Sequence, residues 1–125
     1  MRHDADKQQA WLTSPIARHI WTTKYRWQEA GRAREDGIED SWRRVARAVA
    51  AVEPDGRTRW ERQFFDILRG FRFLPGGRIL AGAGTGQRVT LFNCFVMGLI
   101  EDDMEGIFEA LKEGALTMQA GGGVG

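Results

Sequence analysis

A single thiol is available to this chain. Cys94 lies in the apolar run Val89-Thr90-Leu91-Phe92-Asn93-Cys94-Phe95-Val96-Met97, and the last residues are Gly121-Gly122-Gly123-Val124-Gly125. A cysteine does chemistry as a nucleophile, a metal ligand or a redox partner, and each role needs a base, a metal or a second thiol. The sequence supplies none of these. It has one cysteine and two widely separated histidines, His3 and His19, without the spacing of a zinc site. On residue type alone Cys94 reads as a small buried apolar side chain.

The glycine run is the second feature. One glycine caps a helix by taking the left-handed conformation, whereas ordering three in a row carries a large entropy cost and demands a reason. The run suggests backbone N–H groups lying against a ligand with no side chain between. Thiol and glycine turn are therefore read as parts of one site, in a chain expected to be the amino-terminal piece of a longer protein. Gly82-Ala83-Gly84-Thr85-Gly86 has a different meaning. A phosphate loop precedes a helix and follows a strand; here a strand follows the glycines, no Gly-Lys-Ser/Thr appears, and the segment reads as a flexible turn.

The bulk composition fits one soluble globular unit: 125 residues, 42% hydrophobic and 28% charged. Eighteen Lys and Arg against seventeen Asp and Glu leave a net charge of +1, so no field draws the chain to nucleic acid or to a membrane surface. The arginines of Arg32-Ala33-Arg34-Glu35-Asp36 and Glu39-Asp40-Ser41-Trp42-Arg43-Arg44 alternate with acids, and read as a solvated helix face in preference to a phosphate patch. No apolar run is long enough for a signal peptide core or a membrane span, so a cytoplasmic protein is expected.

The elements that must position the site follow from periodicity. Residues 1–13 show none and are read as a loose arm. Ser14-Pro15 is an N-cap followed by proline at the first helical position, opening a helix with Ile16, Ile20 and Trp27 on its face that runs to about Trp27 and ends at Gly31. Ile38, Trp42, Val45, Val49 and Val52 recur at 3.6-residue spacing and predict a second helix, stopped by Glu53-Pro54-Asp55-Gly56. A third, from about Thr58 to Arg69, would bury Trp60, Phe64, Ile67 and Leu68, with Phe65 beside them, and close at Gly70. These three helices should pack around their tryptophans.

After Leu74-Pro75-Gly76-Gly77 the composition changes. Val89 to Met97 is a strand candidate, apolar on both faces, with Leu91 and Phe95 on one and Phe92 and Val96 on the other, as in a parallel strand covered on both sides. A fourth helix follows from about Asp103 to Ala120, its face carrying Met104, Ile107, Phe108, Leu111, Ala115 and Met118. Asp102 and Asp103 sit where negative charge suits the helix dipole. The fold class expected is α/β: a loose arm over 1–13, a helical domain over 14–74, and over 75–125 the first strand-helix unit of a larger parallel structure. A parallel strand needs a neighbour, and this chain is expected not to supply one.

Several blocks, taken in order, resemble one family. They are Glu39-Asp40-Ser41-Trp42-Arg43-Arg44-Val45-Ala46-Arg47-Ala48, Phe71-Arg72-Phe73-Leu74-Pro75-Gly76-Gly77-Arg78-Ile79-Leu80-Ala81-Gly82-Ala83-Gly84-Thr85, Leu91-Phe92-Asn93-Cys94-Phe95-Val96, Asp102-Asp103-Met104-Glu105-Gly106-Ile107-Phe108 and Leu116-Thr117-Met118-Gln119-Ala120-Gly121-Gly122-Gly123-Val124-Gly125. With Ile16 to Arg26 they resemble the amino-terminal part of the adenosylcobalamin-dependent (class II) ribonucleotide reductases. The resemblance implies an oxidoreductase of the ribonucleoside-diphosphate reductase type, with a helical segment before a ten-stranded α/β barrel. It implies thiyl-radical chemistry that converts ribonucleotides to deoxyribonucleotides for DNA synthesis.

In that reading Cys94 matches the first of two reducing cysteines, which close a disulfide that an external thioredoxin- or glutaredoxin-type thiol donor must reopen. Asn93 matches a substrate contact beside it, and Gly123 matches a substrate-site glycine. Gly77 falls near a further contact, where the family commonly carries a hydroxyl residue. Gly114 stands where alanine is expected, a change that weakens its helix by roughly 1 kcal/mol. The radical cysteine, the second reducing cysteine and most of the cobalamin contacts would lie beyond Gly125, so this piece alone is expected to be inactive. The full-length chain is expected to form a homodimer. Two alternatives stand beside this reading: the large subunit of a metal-dependent class I reductase, and a non-catalytic helical binding module.

Overall fold

The computed structural model describes residues 11–125, which divide into two compact units, one ending at Gly86 and the other running from Gln87 to Gly125. The first is helical. Ser14 caps α1 (Pro15–Ile20), its Oγ accepting from the Ala17 N–H at 3.1 Å. The helix then widens into a π-turn over Trp21–Tyr25, closed by the Arg26 N–H on the Trp21 carbonyl at 2.8 Å. The long helix expected to reach Trp27 therefore stops short. A two-residue hairpin follows, β1 (Gln28–Glu29) against β2 (Arg32–Ala33). Ala30 and Gly31, with φ of 49° and 74°, supply the two left-handed residues that a tight hairpin turn requires. Gly31 turns a hairpin instead of ending a helix.

Helix α2 (Ile38–Ala50) carries the core. Ile38, Trp42, Val45, Ala46 and Ala50 are buried on its inner face, with Leu12, Trp21, Leu68, Leu80 and Ala83 contributing from elsewhere. Trp42 is completely buried, held edge-on between the rings of Trp11 at 5.9 Å and Phe71 at 5.1 Å. The loose arm expected over 1–13 lies outside the described residues up to position 10. At its end Leu12 is buried and Trp11 packs on Trp42, because an aromatic core of this size needs more cover than three short helices provide.

Helix α3 (Arg57–Leu68) buries only Leu68 fully. Trp60 and Ile67, expected inside, are exposed, as are Ile16 and Ile20 on α1, Val49 on α2 and Val52 in the turn after it. Gly70 closes α3 as expected, with φ of 70°, and a Cβ there would fall 2.9 Å from the Trp11 ring. Phe71 is also left-handed (φ 58°), a conformation costly for an aromatic residue; its contact with Trp42 offsets that cost.

The segment read as a loop at 81–86 begins inside a helix, α4 (Gly77–Gly82). Although the composition changes at 75, α4 belongs to the first unit, because the Arg44 guanidinium donates to its last carbonyls, Leu80 O at 2.8 Å and Ala83 O at 2.5 Å. Those carbonyls have no intrahelical partner.

In the second unit the apolar run forms a strand only over β3 (Cys94–Phe95), which pairs in parallel with β4 (Gly123–Val124). Helix α5 (Met104–Gln119) joins them, capped by the Asp103 carboxylate on the Gly106 N–H at 2.6 Å. The expectation that the chain lacks a parallel neighbour is therefore corrected: the end of the glycine run, Gly123–Val124, returns through α5 to pair with β3. No helix among the described residues is long and apolar enough to cross a membrane.

Candidate functional site

The site is built on the β3–β4 ladder. The segment around Cys94 is tied to the last residues by four backbone bonds: Thr90 N–H to Ala120 O at 3.0 Å, Gly123 N–H to Asn93 O at 2.8 Å, Gly125 N–H to Phe95 O at 3.0 Å and Met97 N–H to Gly125 O at 2.8 Å. Cys94 stands opposite Gly123 in register, and a Cβ on Gly123 would lie 3.3 Å from the Cys94 sulfur. Thiol and glycine turn are one place, as their residue types suggested. The thiol is exposed, not buried as residue type alone implied, and Asn93 beside it is exposed too.

The glycines act differently from the expectation. Gly121 takes a φ of 87° at the end of α5, and its N–H donates to Met118 O at 2.9 Å. The Gly122 N–H donates to Thr117 O at 2.9 Å, and those of Gly123 and Gly125 are spent on the ladder. No N–H of these four glycines is therefore left to face a ligand. Their shared property is the missing side chain: a left-handed cap at 121, close packing at 122 and an open face beside the sulfur at 123.

Gly77, the weakest of the candidates, opens α4 in the first unit, and a Cβ there would meet the Tyr25 hydroxyl at 3.2 Å. Its glycine is thus explained by packing within that unit.

Sequence reasoning missed the polar centre of the first unit. Glu35 and Arg44, read as part of a solvated helix face, are buried as an ion pair, Arg44 Nε to Glu35 Oε1 at 2.7 Å, with side chains 7% and 3% exposed for Arg44 and Glu35. The other carboxylate oxygen, Oε2, accepts from the Trp27 N–H and the Ser41 hydroxyl, both at 2.8 Å, and Ser41 in turn accepts from the Trp21 indole N–H at 2.9 Å. Each buried polar atom is satisfied, and the cluster ties α2, α4 and the residues around the hairpin together. The spacing of Glu35, Ser41 and Arg44 carries no periodic signal that separates them from the exposed Arg34 and Arg43.

Among the described residues no group of His, Cys, Asp or Glu side chains is placed to hold a metal ion. An open cleft of about 790 Å³ in the second unit runs between residues 96–101 and α5, apolar along Val96, Leu99, Ile107 and Leu111 and edged by Glu101, Glu109 and Glu113.

A helical domain followed by a strand-helix-strand unit that presents one thiol is the arrangement to be placed. The chain belongs to the ribonucleotide reductase family, whose all-alpha domain matches residues 12–88. That match covers the helical unit and Gly77, and ends before Asn93, Cys94 and Gly123. Among curated proteins, the chain is 41% identical over 86 residues to a vitamin B12-dependent ribonucleoside-diphosphate reductase of Mycobacterium tuberculosis, covering 66% of this chain and 12% of that protein. It is 30% identical over 84 residues to a ribonucleoside-diphosphate reductase subunit alpha of Chlamydia muridarum, covering 67% and 8%. It is 35% identical over 78 residues to the subunit alpha of Synechocystis, covering 62% and 10%. The matched region is thus a small part of these relatives' length.

Proposed function

We propose that this chain forms the amino-terminal part of an adenosylcobalamin-dependent ribonucleotide reductase, an oxidoreductase that makes deoxyribonucleotides, and that Cys94 is one of its two reducing thiols. The observation that carries the reading is the exposed Cys94 sulfur, held in register against a residue without a side chain, in a chain of this family. In net terms the ribose 2′ carbon–oxygen bond breaks and the oxygen leaves as water. Two thiols supply two hydrogens and two electrons and close to a disulfide. An external thioredoxin- or glutaredoxin-type dithiol reopens it by exchange through a mixed disulfide.

Cys94 gives one sulfur, and since the chain has a single cysteine, the second sulfur and the radical-bearing cysteine are contributed by other residues of the enzyme. The ladder fixes the Cys94 backbone, so its sulfur reaches the 2′ carbon without a search through conformers, the entropic advantage of a positioned reactant. Asn93 and Gly123, both on the β3–β4 ladder, are the proposed substrate contacts beside Cys94. Adenosylcobalamin would initiate the radical reaction. The cleft beside α5 is open and edged by Glu101, Glu109 and Glu113, so it does not form an enclosed seat for that cofactor, whose contacts are expected mainly from other residues of the enzyme.

The second unit supports the reading of a larger α/β barrel. Phe92, Val96 and Leu99 around β3 and Ile107, Phe108 and Leu111 on α5 all lie exposed, surface that a covered parallel strand and its helix bury. Relatives named as alpha subunits favour a second reading, the large subunit of a metal-dependent class.

The test is Cys94→Ser in the full-length enzyme: multiple turnover with an external dithiol should be lost while substrate still binds. Undiminished turnover would remove Cys94 from the reaction. Activity that needs adenosylcobalamin supports the first reading, and activity that needs a metal-bearing partner subunit supports the second. The 125-residue chain with adenosylcobalamin and dithiol should form no deoxyribonucleotide.

A further inference from the structure

We infer that Phe95 is the positioning residue that sets Cys94 against Gly123, acting through Gly122. Three adjacent glycines leave a strand's register poorly specified, because no side chains on them distinguish one pairing from the next. Something outside the run must choose the register. Gly122 is one of only two buried residues between 87 and 125, the other being Gly114. A Cβ on Gly122 would fall 2.7 Å from Phe95 Cε2 and 3.0 Å from Thr117 Cγ2, so the ring from β3 and the methyl from α5 occupy the space of a side chain at 122 and clamp a glycine there. Phe92 braces the Phe95 ring edge-on at 6.1 Å.

With Gly122 clamped, the next residue comes opposite Cys94. A slip of one residue in one direction would bring Val124 to that position and set a branched side chain against the sulfur. The clamp thus keeps the face beside the thiol open. That the open face serves ribonucleotide reduction rests on the proposed function; the placement itself does not.

The sulfur-to-Cβ distance of 3.3 Å is one that a disulfide closes with little movement. Gly123→Cys in the 125-residue chain should therefore cross-link to Cys94 in a glutathione redox buffer. The effective concentration of the pair should fall roughly tenfold or more when Phe95→Ala is added. Gly122→Ala with Phe95 retained should cause a similar loss, and the two changes together should be no worse than either alone, since both release one clamp. Phe95→Leu, which keeps an apolar side chain without the flat ring, should lie between. Amide exchange across α5 checks that the helix survives each change. Cross-linking unaffected by Phe95→Ala, or losses that simply add, overturns the inference. Cross-linking as expected in an enzyme that turns over with Cys94→Ser would leave the placement standing and remove the reductive role.

Discussion

The two units differ in what stabilises them. Around Trp42 the first has a closed core and a buried ion pair with each polar atom satisfied. The second has a capped helix and a short parallel ladder, but most of its large apolar side chains are exposed: Leu99 is 98% accessible and Val96 96%. The difference teaches where to look for each kind of constraint. Buried area and satisfied charge hold the first unit, while backbone hydrogen bonds and close packing on glycine hold the second.

The largest test of that contrast is Trp42→Ala. Truncating a fully buried tryptophan should destabilise the first unit by about 3–5 kcal/mol. All five tryptophans lie before residue 87, so tryptophan fluorescence in a urea titration reads that unit alone. Glu35→Ala should cost about 3–5 kcal/mol by the same measurement, because it strands the buried Arg44 charge and the Ser41 hydroxyl. A loss as small as that of a surface pair would mean that water reaches the cluster and the closed-core description is wrong.

Substitutions in the second unit should have far smaller effects. Gly114→Ala replaces a mid-helix glycine whose Cβ would meet nothing within 4 Å outside its own helix, and should stabilise α5 by roughly 0.5–1 kcal/mol, read from helical circular dichroism and amide exchange. Leu111→Ser on the exposed face of α5 should change stability in this chain by less than about 0.5 kcal/mol. If the full-length enzyme covers that face, the identical change there should cost about 2–5 kcal/mol, as for a buried leucine. Equal effects in both contexts would argue against a barrel built on this unit.

Local chemistry was readable in the sequence. The Ser14-Pro15 start, the α2 periodicity through Trp42 and Val45, Gly70 as a stop and the acidic start of α5 at Asp103 each depend on neighbours within a few residues. The misread places are those where distant residues decide. Glu35 and Arg44 look like their exposed neighbours until the fold closes over them. Trp60 and Ile67 follow a helical pattern that this chain leaves open to solvent, and the hairpin at Ala30-Gly31 interrupts what reads as the end of a helix.

By itself the sequence pointed to a lone thiol and a glycine run that belong together, through a family resemblance carried by blocks that precede, separate and include them. Only the tertiary structure decided how they meet. Gly123 reaches Cys94 because α5 returns the chain parallel to β3, and the register of that return rests on contacts of Phe95 and Thr117 with Gly122. It also decided that the N–H groups of Gly121, Gly122, Gly123 and Gly125 serve the fold and not a ligand. Residue type states what a group can do, but whether its hydrogen bonds are already spent depends on partners that are remote in the chain.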